Sequence, residues 1–162
     1  MLYQPMAIDP EAAPVCAALI GVGQFGRSLL ARARHLEAIH LPLLCDREPE
    51  RAVKAFLGTG GDPERITVAV DRRSAKAALE RGQTVVVEDA SLLMDLPFDI
   101  LIEATGEPEI AARHGEAAIE HGKHLAMVTK EADSVIGPLL AARAARAGLV
   151  VIGTTISSSP RK

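Results

Sequence analysis

Gly21-Val22-Gly23-Gln24-Phe25-Gly26 lies between an apolar run, Val15–Ile20, and a stretch with helical periodicity. Glycines at this spacing suit one kind of chemistry. Gly21 lets the chain turn sharply at the end of a strand, Gly23 removes the side chain that would block a pyrophosphate, and Gly26 lets the next helix pack close to the strand. Gln24 and Phe25 open that helix, whose first N–H groups and partial positive charge attract an anion. A second apolar run, Ile39–Cys45, ends in Asp46, 20 positions beyond Gly26. A carboxylate there can accept both hydroxyls of a ribose, and strand, glycine turn, helix and acid together make the layout of a dinucleotide-binding βαβ unit. Arg47 pulls the other way, because a guanidinium at that place can clamp a 2′-phosphate. NAD and NADP both stay open, with NADPH slightly preferred. The plainer alternatives are a glycine turn serving another adenosyl ligand, or none, and a solvated arginine at a helix start.

Two later segments are expected at the same edge of the sheet. Glu103-Ala104-Thr105-Gly106 ends one strand, and Thr105 with the Gly106 backbone can contact ribose or pyrophosphate; Thr105 suits a helix N-cap equally well. Thr129-Lys130 follows the next strand, where Thr129 is a candidate contact to the cofactor and Lys130 can hold a substrate carbonyl or carboxylate or assist proton transfer. Its plain alternative is a surface lysine. His124 starts a strand at the opposite end and reads as structural, while His114 and His121 fall on a helix and are expected in solvent. No Ser-His-Asp, Cys-His or metal-ligand set can be argued.

The elements that must position these residues follow from periodicity. Strands are expected at Val15–Ile20, Ile39–Cys45, Thr84–Glu88, Asp99–Ala104, His124–Val128 and Leu149–Gly153. Helices are expected at Gln24–Ala38, Arg47–Leu57, Ser74–Arg81, Glu107–His121 and Ala132–Ala147, with a short turn at Ala90–Leu96. Pro42 is awkward inside a strand and is expected either at a bulge or near the strand start. Ile66–Val70 is either a short strand or part of an excursion. Strictly alternating elements predict an α/β fold: a Rossmann-type, doubly wound parallel sheet in a single domain, about six strands in order 3-2-1-4-5-6. Residues 1–14 read as an irregular lead-in with a short helix around Asp9–Ala13, 15–153 as the domain, and 154–162 as a frayed polar tail.

Composition narrows the partners. The net charge is −3, so a clustered basic surface for nucleic acid is not expected. One Tyr, three Phe and no Trp leave little to stack bases on. Cys16 and Cys45 fall on neighbouring central strands as buried thiols, with no CxxC pattern. The first residues lack a signal-peptide pattern and no apolar run is long enough to span a bilayer, so the expectation is a cytoplasmic protein that does not enter membranes.

ALIGVGQFGRSLL, LIEATG and GKHLAMVTKEAD resemble the N-terminal domain of homoserine dehydrogenase-like oxidoreductases, in the branch that includes the 1-deoxyxylulose-5-phosphate reductoisomerase-like enzymes with a C-terminal SAF-type region. The resemblance covers about Val15 to Val151. It implies an NAD(P)-dependent hydride transfer on a small carbonyl or hydroxy substrate, with Gly21, Gly23 and Gly26 at the pyrophosphate and Thr105 and Gly106 lining the cofactor site. Lys130 matches the lysine of the family's Asn-Lys pair. Thr129 stands in place of the Asn, which speaks against true homoserine dehydrogenase activity. The ending TTISSSPRK matches nothing in the family, so the expectation is a cofactor-binding half without its substrate domain. Such a half leaves apolar surface near its last strand and favours a homo-oligomer. A stand-alone NAD(H)-sensing module without catalysis is the alternative, and an adenosyl-ligand transferase or CoA-binding domain a weaker one.

Overall fold

A computed structural model describes residues 13–153 of the chain. The short helix of the lead-in and the polar tail lie outside the described residues. The elements run β1 (Val15–Ile20), α1 (Gln24–Ala33), β2 (Ile39–Cys45), α2 (Pro49–Gly58), a single 3₁₀ turn (Pro63–Arg65), β3 (Ile66–Val68), α3 (Arg72–Glu80), β4 (Thr84–Val87), α4 (Ala90–Met94), β5 (Ile100–Glu103), α5 (Pro108–Glu120), β6 (His124–Met127), α6 (Lys130–Arg146) and β7 (Val151–Gly153).

The sheet is parallel throughout, in the order β3-β4-β2-β1-β5-β6-β7. The expected six strands keep their expected order. Ile66–Val68 adds a seventh at the edge beside β4. Successive strand residues point to opposite faces, and both faces are covered. Ala18 and Ile20 of β1 look toward α3, α4, α5 and α6; Ala17 and Leu19 look toward α1 and α2. This is why the strands read as unbroken apolar runs.

Of the two expectations for Pro42, the bulge is present. Cys16 pairs with His40 but Ala18 pairs with Leu43, so β2 carries one extra residue where proline lacks an N–H. Helix α1 is shorter than its periodicity predicts. His35 N–H donates to Arg32 O and Leu36 N–H to Ala33 O, tightening the chain into a turn and leaving Leu36 exposed. Pro138 lies inside α6, whose helix begins earlier than expected, at Lys130. Both free cysteines lie on the central strands as expected, Cys45 buried and Cys16 partly so. His124 is structural: its Nδ1 accepts from Val150 N–H at 3.0 Å.

Helices close on the sheet through small residues. Ala75, Ala78, Ala111 and Ala118 are fully buried. Gly115 of α5 faces Leu140 of α6 and Leu125 of β6, whose side-chain ends would have to shift to admit a larger residue. Leu101, at the middle of β5, has no exposed surface. Leu101→Ala is therefore expected to lower stability by about 2–5 kcal/mol, read as a lower urea midpoint with an unchanged slope.

Candidate functional site

All strands of a parallel sheet end at one edge, and here the ends of β1, β2, β4 and β5 open onto a cleft of about 740 Å³. That volume suits a small ligand. The floor is the glycine turn. Gly21 has φ +90°, and a Cβ placed on it would stand 2.5 Å from the Ala104 carbonyl oxygen and 2.8 Å from Thr105 N. A Cβ on Gly26 would run into the Gly21 carbonyl. The protein's own packing excludes side chains at both positions. Gly23 differs: its φ is −77°, and an added Cβ would meet nothing within 4 Å. No contact within the chain requires glycine there; a ligand lying against the turn would. Gly23 also N-caps α1 with no side-chain hydrogen bond, which leaves the helix's first N–H groups available to an anion.

Asp46 is buried and binds the turn directly. Its Oδ2 accepts from Val22 N–H at 2.9 Å and its Oδ1 from Glu48 N–H at 3.0 Å. A carboxylate has about four lone-pair sites, so acceptor capacity remains for ribose hydroxyls. Arg47 is exposed and ion-pairs with Glu107, on the other side of the glycine turn. Arg51 lies 2.5 Å from Glu48 Oε1 and 3.8 Å from Asp46 Oδ1, on the same wall. The opposite wall carries Glu88, Asp89, Ala90 and Leu92 at the start of α4, with Ile110 and His114 of α5.

Under the cleft Glu103 is fully buried and hydrogen-bond donors converge on it. Oε1 accepts from Thr105 N–H at 3.0 Å and Thr105 Oγ1 at 2.5 Å, and Oε2 accepts from Thr129 Oγ1 at 2.6 Å. His114 Nδ1 lies 3.8 Å from Oε1. Burial alone would raise the Glu103 pKa, but the His114, Thr105 and Thr129 contacts outweigh it and hold the carboxyl below the ordinary glutamate value. Thr129 Oγ1 also accepts from Gly106 N–H at 3.0 Å, so one hydroxyl joins the ends of β5 and β6.

Of the residues singled out from the sequence, Gly21, Gly23, Asp46, Arg47 and Thr105 line the cleft. Gln24 and Phe25 are exposed at the start of α1, and Gly26 is buried behind the turn. Gly106 and Thr129 sit in the Glu103 network, and Lys130 opens α6 with an exposed side chain. His114 corrects the expectation of a solvated residue: it lines the cleft and its side chain is only 16% exposed. Ile110 sits one helical turn before it on the same face. Arg51 and Glu107 join the site without having been expected there, and Glu103, expected only as the end of its strand, holds the network together. The signals were present as a second arginine one turn after Arg47, an acid closing an apolar strand, and an acid seven positions before His114. Beside the cleft, burial and neighbouring carboxylates push the Cys45 thiol up to about 12, which disfavours the thiolate. Among the described residues, no group of three or more His, Cys, Asp or Glu is arranged to hold a metal ion, and no helix is long and apolar enough to cross a membrane.

The family model described as homoserine dehydrogenase, NAD binding domain, matches residues 21–152. Glycosyl hydrolase family 109 protein 1 of Bacteroides thetaiotaomicron is 29% identical over 122 residues, which is 74% of this chain and 23% of that protein. Among solved structures, an oxidoreductase from Agrobacterium radiobacter in complex with NAD+, L-tartaric acid and magnesium superposes with a TM-score of 0.65 at 18% identity, over 86% of this chain and 35% of that one. The WlbA dehydrogenase from Bordetella pertussis, in complex with NADH and UDP-GlcNAcA, gives 0.63 at 17% identity, over 87% and 37%. These likenesses show a shared fold. The chain spans about a quarter of the length of the curated relative and about a third of the solved chains.

The Glu103 network predicts a pH signature. A carboxyl whose folded pKa is depressed contributes stability above its unfolded value, and that contribution is lost as pH falls through the folded value. Glu103→Gln is expected to cost about 1–3 kcal/mol at neutral pH, the scale of buried charge-assisted hydrogen bonds. Urea unfolding of both proteins from pH 7 downward should show the gap narrowing below the ordinary glutamate value of 4.5.

Proposed function

This chain belongs to the family of the homoserine dehydrogenase NAD-binding domain, and from that premise we propose that its cleft binds NAD or NADP and serves an oxidoreductase that moves hydride between the nicotinamide and a small carbonyl or hydroxy substrate. The single observation that carries the reading is Gly23: a cleft-lining glycine with ordinary φ and open space around it, in a turn whose other glycines are required by packing. Around it, the chain's own groups divide the work. The glycine turn and the uncapped start of α1 suit a pyrophosphate, Asp46 suits the adenosine ribose, and Thr105 suits the remaining ribose. Bound dinucleotide would supply the hydride chemistry. Lys130, next along the same edge after β6, is the group we assign to the substrate's carbonyl or carboxylate.

A substrate must be held against the nicotinamide at near-attack distance for hydride transfer. In the relatives, which are far longer than this chain, further residues are available for that task. The part we assign to these residues is dinucleotide binding. Cytoplasmic residence and a homo-oligomeric state belong to the same proposal; light scattering on the purified protein checks the second.

Gly23→Ala separates binding from folding. The substitution should leave the thermal midpoint nearly unchanged, because the added methyl meets no protein atom. It should weaken NADH and NADPH at least tenfold, about 1.4 kcal/mol or more, in a fluorescence titration. Undiminished binding of both dinucleotides to Gly23→Ala, or none to the wild-type protein at millimolar concentration, would sink the reading.

A further inference from the structure

We infer that Glu107 sets the choice between the two dinucleotides by occupying Arg47, and that the cleft consequently prefers NAD. The inference rests on the dinucleotide reading above and assigns a specificity role within it. Arg47 follows Asp46 at the end of β2 and is the first cation a 2′-phosphate on the adenosine ribose would meet. In the structure its Nη2 is already donating to Glu107 Oε1, a residue 60 positions away at the N-cap of α5. The Nη2 N–H donated to that carboxylate is not offered to a phosphate at the same time, and the carboxylate beside it repels one. The second arginine on that wall, Arg51, is held by Glu48 and lies near Asp46.

The charge of the lining points the same way. Arg47 and Arg51 face four carboxylates, Asp46, Glu88, Asp89 and Glu107. A 2′-phosphate brings further negative charge into that field and must displace a carboxylate from Arg47. The plain ribose of NAD asks only for the acceptor capacity that Asp46 retains. Taking the charge from Glu107 acts twice in one direction: it frees the guanidinium and removes a repelling anion. Glu107 is partly exposed and its side chain makes no capping hydrogen bond to α5, so Glu107→Gln leaves the helix start intact.

The test is a titration of the purified chain with NADH and NADPH at low ionic strength, using wild type, Glu107→Gln, and Glu107→Gln combined with Arg47→Ala. Wild type is expected to bind NADH more tightly. Glu107→Gln should tighten NADPH about fivefold relative to NADH, the scale of one exposed ion pair. Adding Arg47→Ala should abolish that gain, and about 1 M salt should shrink it through screening. A wild type that prefers NADPH would overturn the inference. So would a Glu107→Gln protein whose preference stays within about 1.4-fold of wild type, the lower end for one exposed ion pair. A wild type that binds neither dinucleotide overturns the dinucleotide reading itself, a pattern distinct from intact binding with an unmoved ratio.

Discussion

At Gly21 the chain leaves β1 with a positive φ while passing so close to the Ala104 carbonyl that no side chain fits between them. The cleft depends on this contact. Because the end of β1 lies against the end of β5, Val22 N–H is aimed at Asp46 and the turn can be fixed to β2 on its other side. Because the turn is that tight, α1 starts directly behind it, with Gly26 against the Gly21 carbonyl. A larger residue at Gly21 would strain the backbone and push β5 away, and the three strand ends would lose their common edge. The constraint is steric and local. Its product is a glycine turn and a carboxylate held together at one edge of the sheet.

The second organising element is electrostatic. Asp46 and Glu103 are both buried, and both are satisfied by donors from the turns that follow neighbouring strands. A buried carboxylate without donors is expensive, so each acts as a template on which surrounding backbone must settle. Asp46 orders the turn after β1. Glu103 orders the turns after β5 and β6 through Thr105 and Thr129, with Gly106 joined by its amide. Exposed ions then decorate a frame that is already set. The Arg47–Glu107 pair belongs to this outer layer, where interaction energies are small and selectivity can be adjusted without disturbing the fold.

What the sequence made legible was local or repetitive. The glycine turn, Asp46, the strand order and the bulge at Pro42 all follow from short-range pattern and chain stiffness. Three residues carry too little pattern to mark β3 by themselves; pairing with β4 makes it a strand. Helix α1 was overdrawn because Leu36 fits the apolar period yet finds no core. His114 looked like any polar helix residue, since only the docking of α5 beside β5 turns it toward Glu103. Thr129 was singled out for a cofactor, but its hydroxyl is engaged with Glu103 and Gly106, a pairing that spans 26 and 23 positions and leaves no trace in neighbouring residues.

The placement of β1 between β2 and β5 has a consequence for how the chain is made. A ribosome delivers β1 and β2 early, and they can pair at once. The other edge of β1 waits for Ile100–Glu103, more than 80 residues later. Until then the nascent chain carries an apolar strand with an open row of hydrogen-bonding groups, the kind of surface that recruits other chains. Gly21 has no Ala104 to turn against in that interval, so the glycine turn stays unset. Nascent chains of this protein are therefore most exposed to aggregation, and most dependent on chaperones, before β5 emerges. The cleft forms only as β5 docks, in the same event that closes the centre of the sheet.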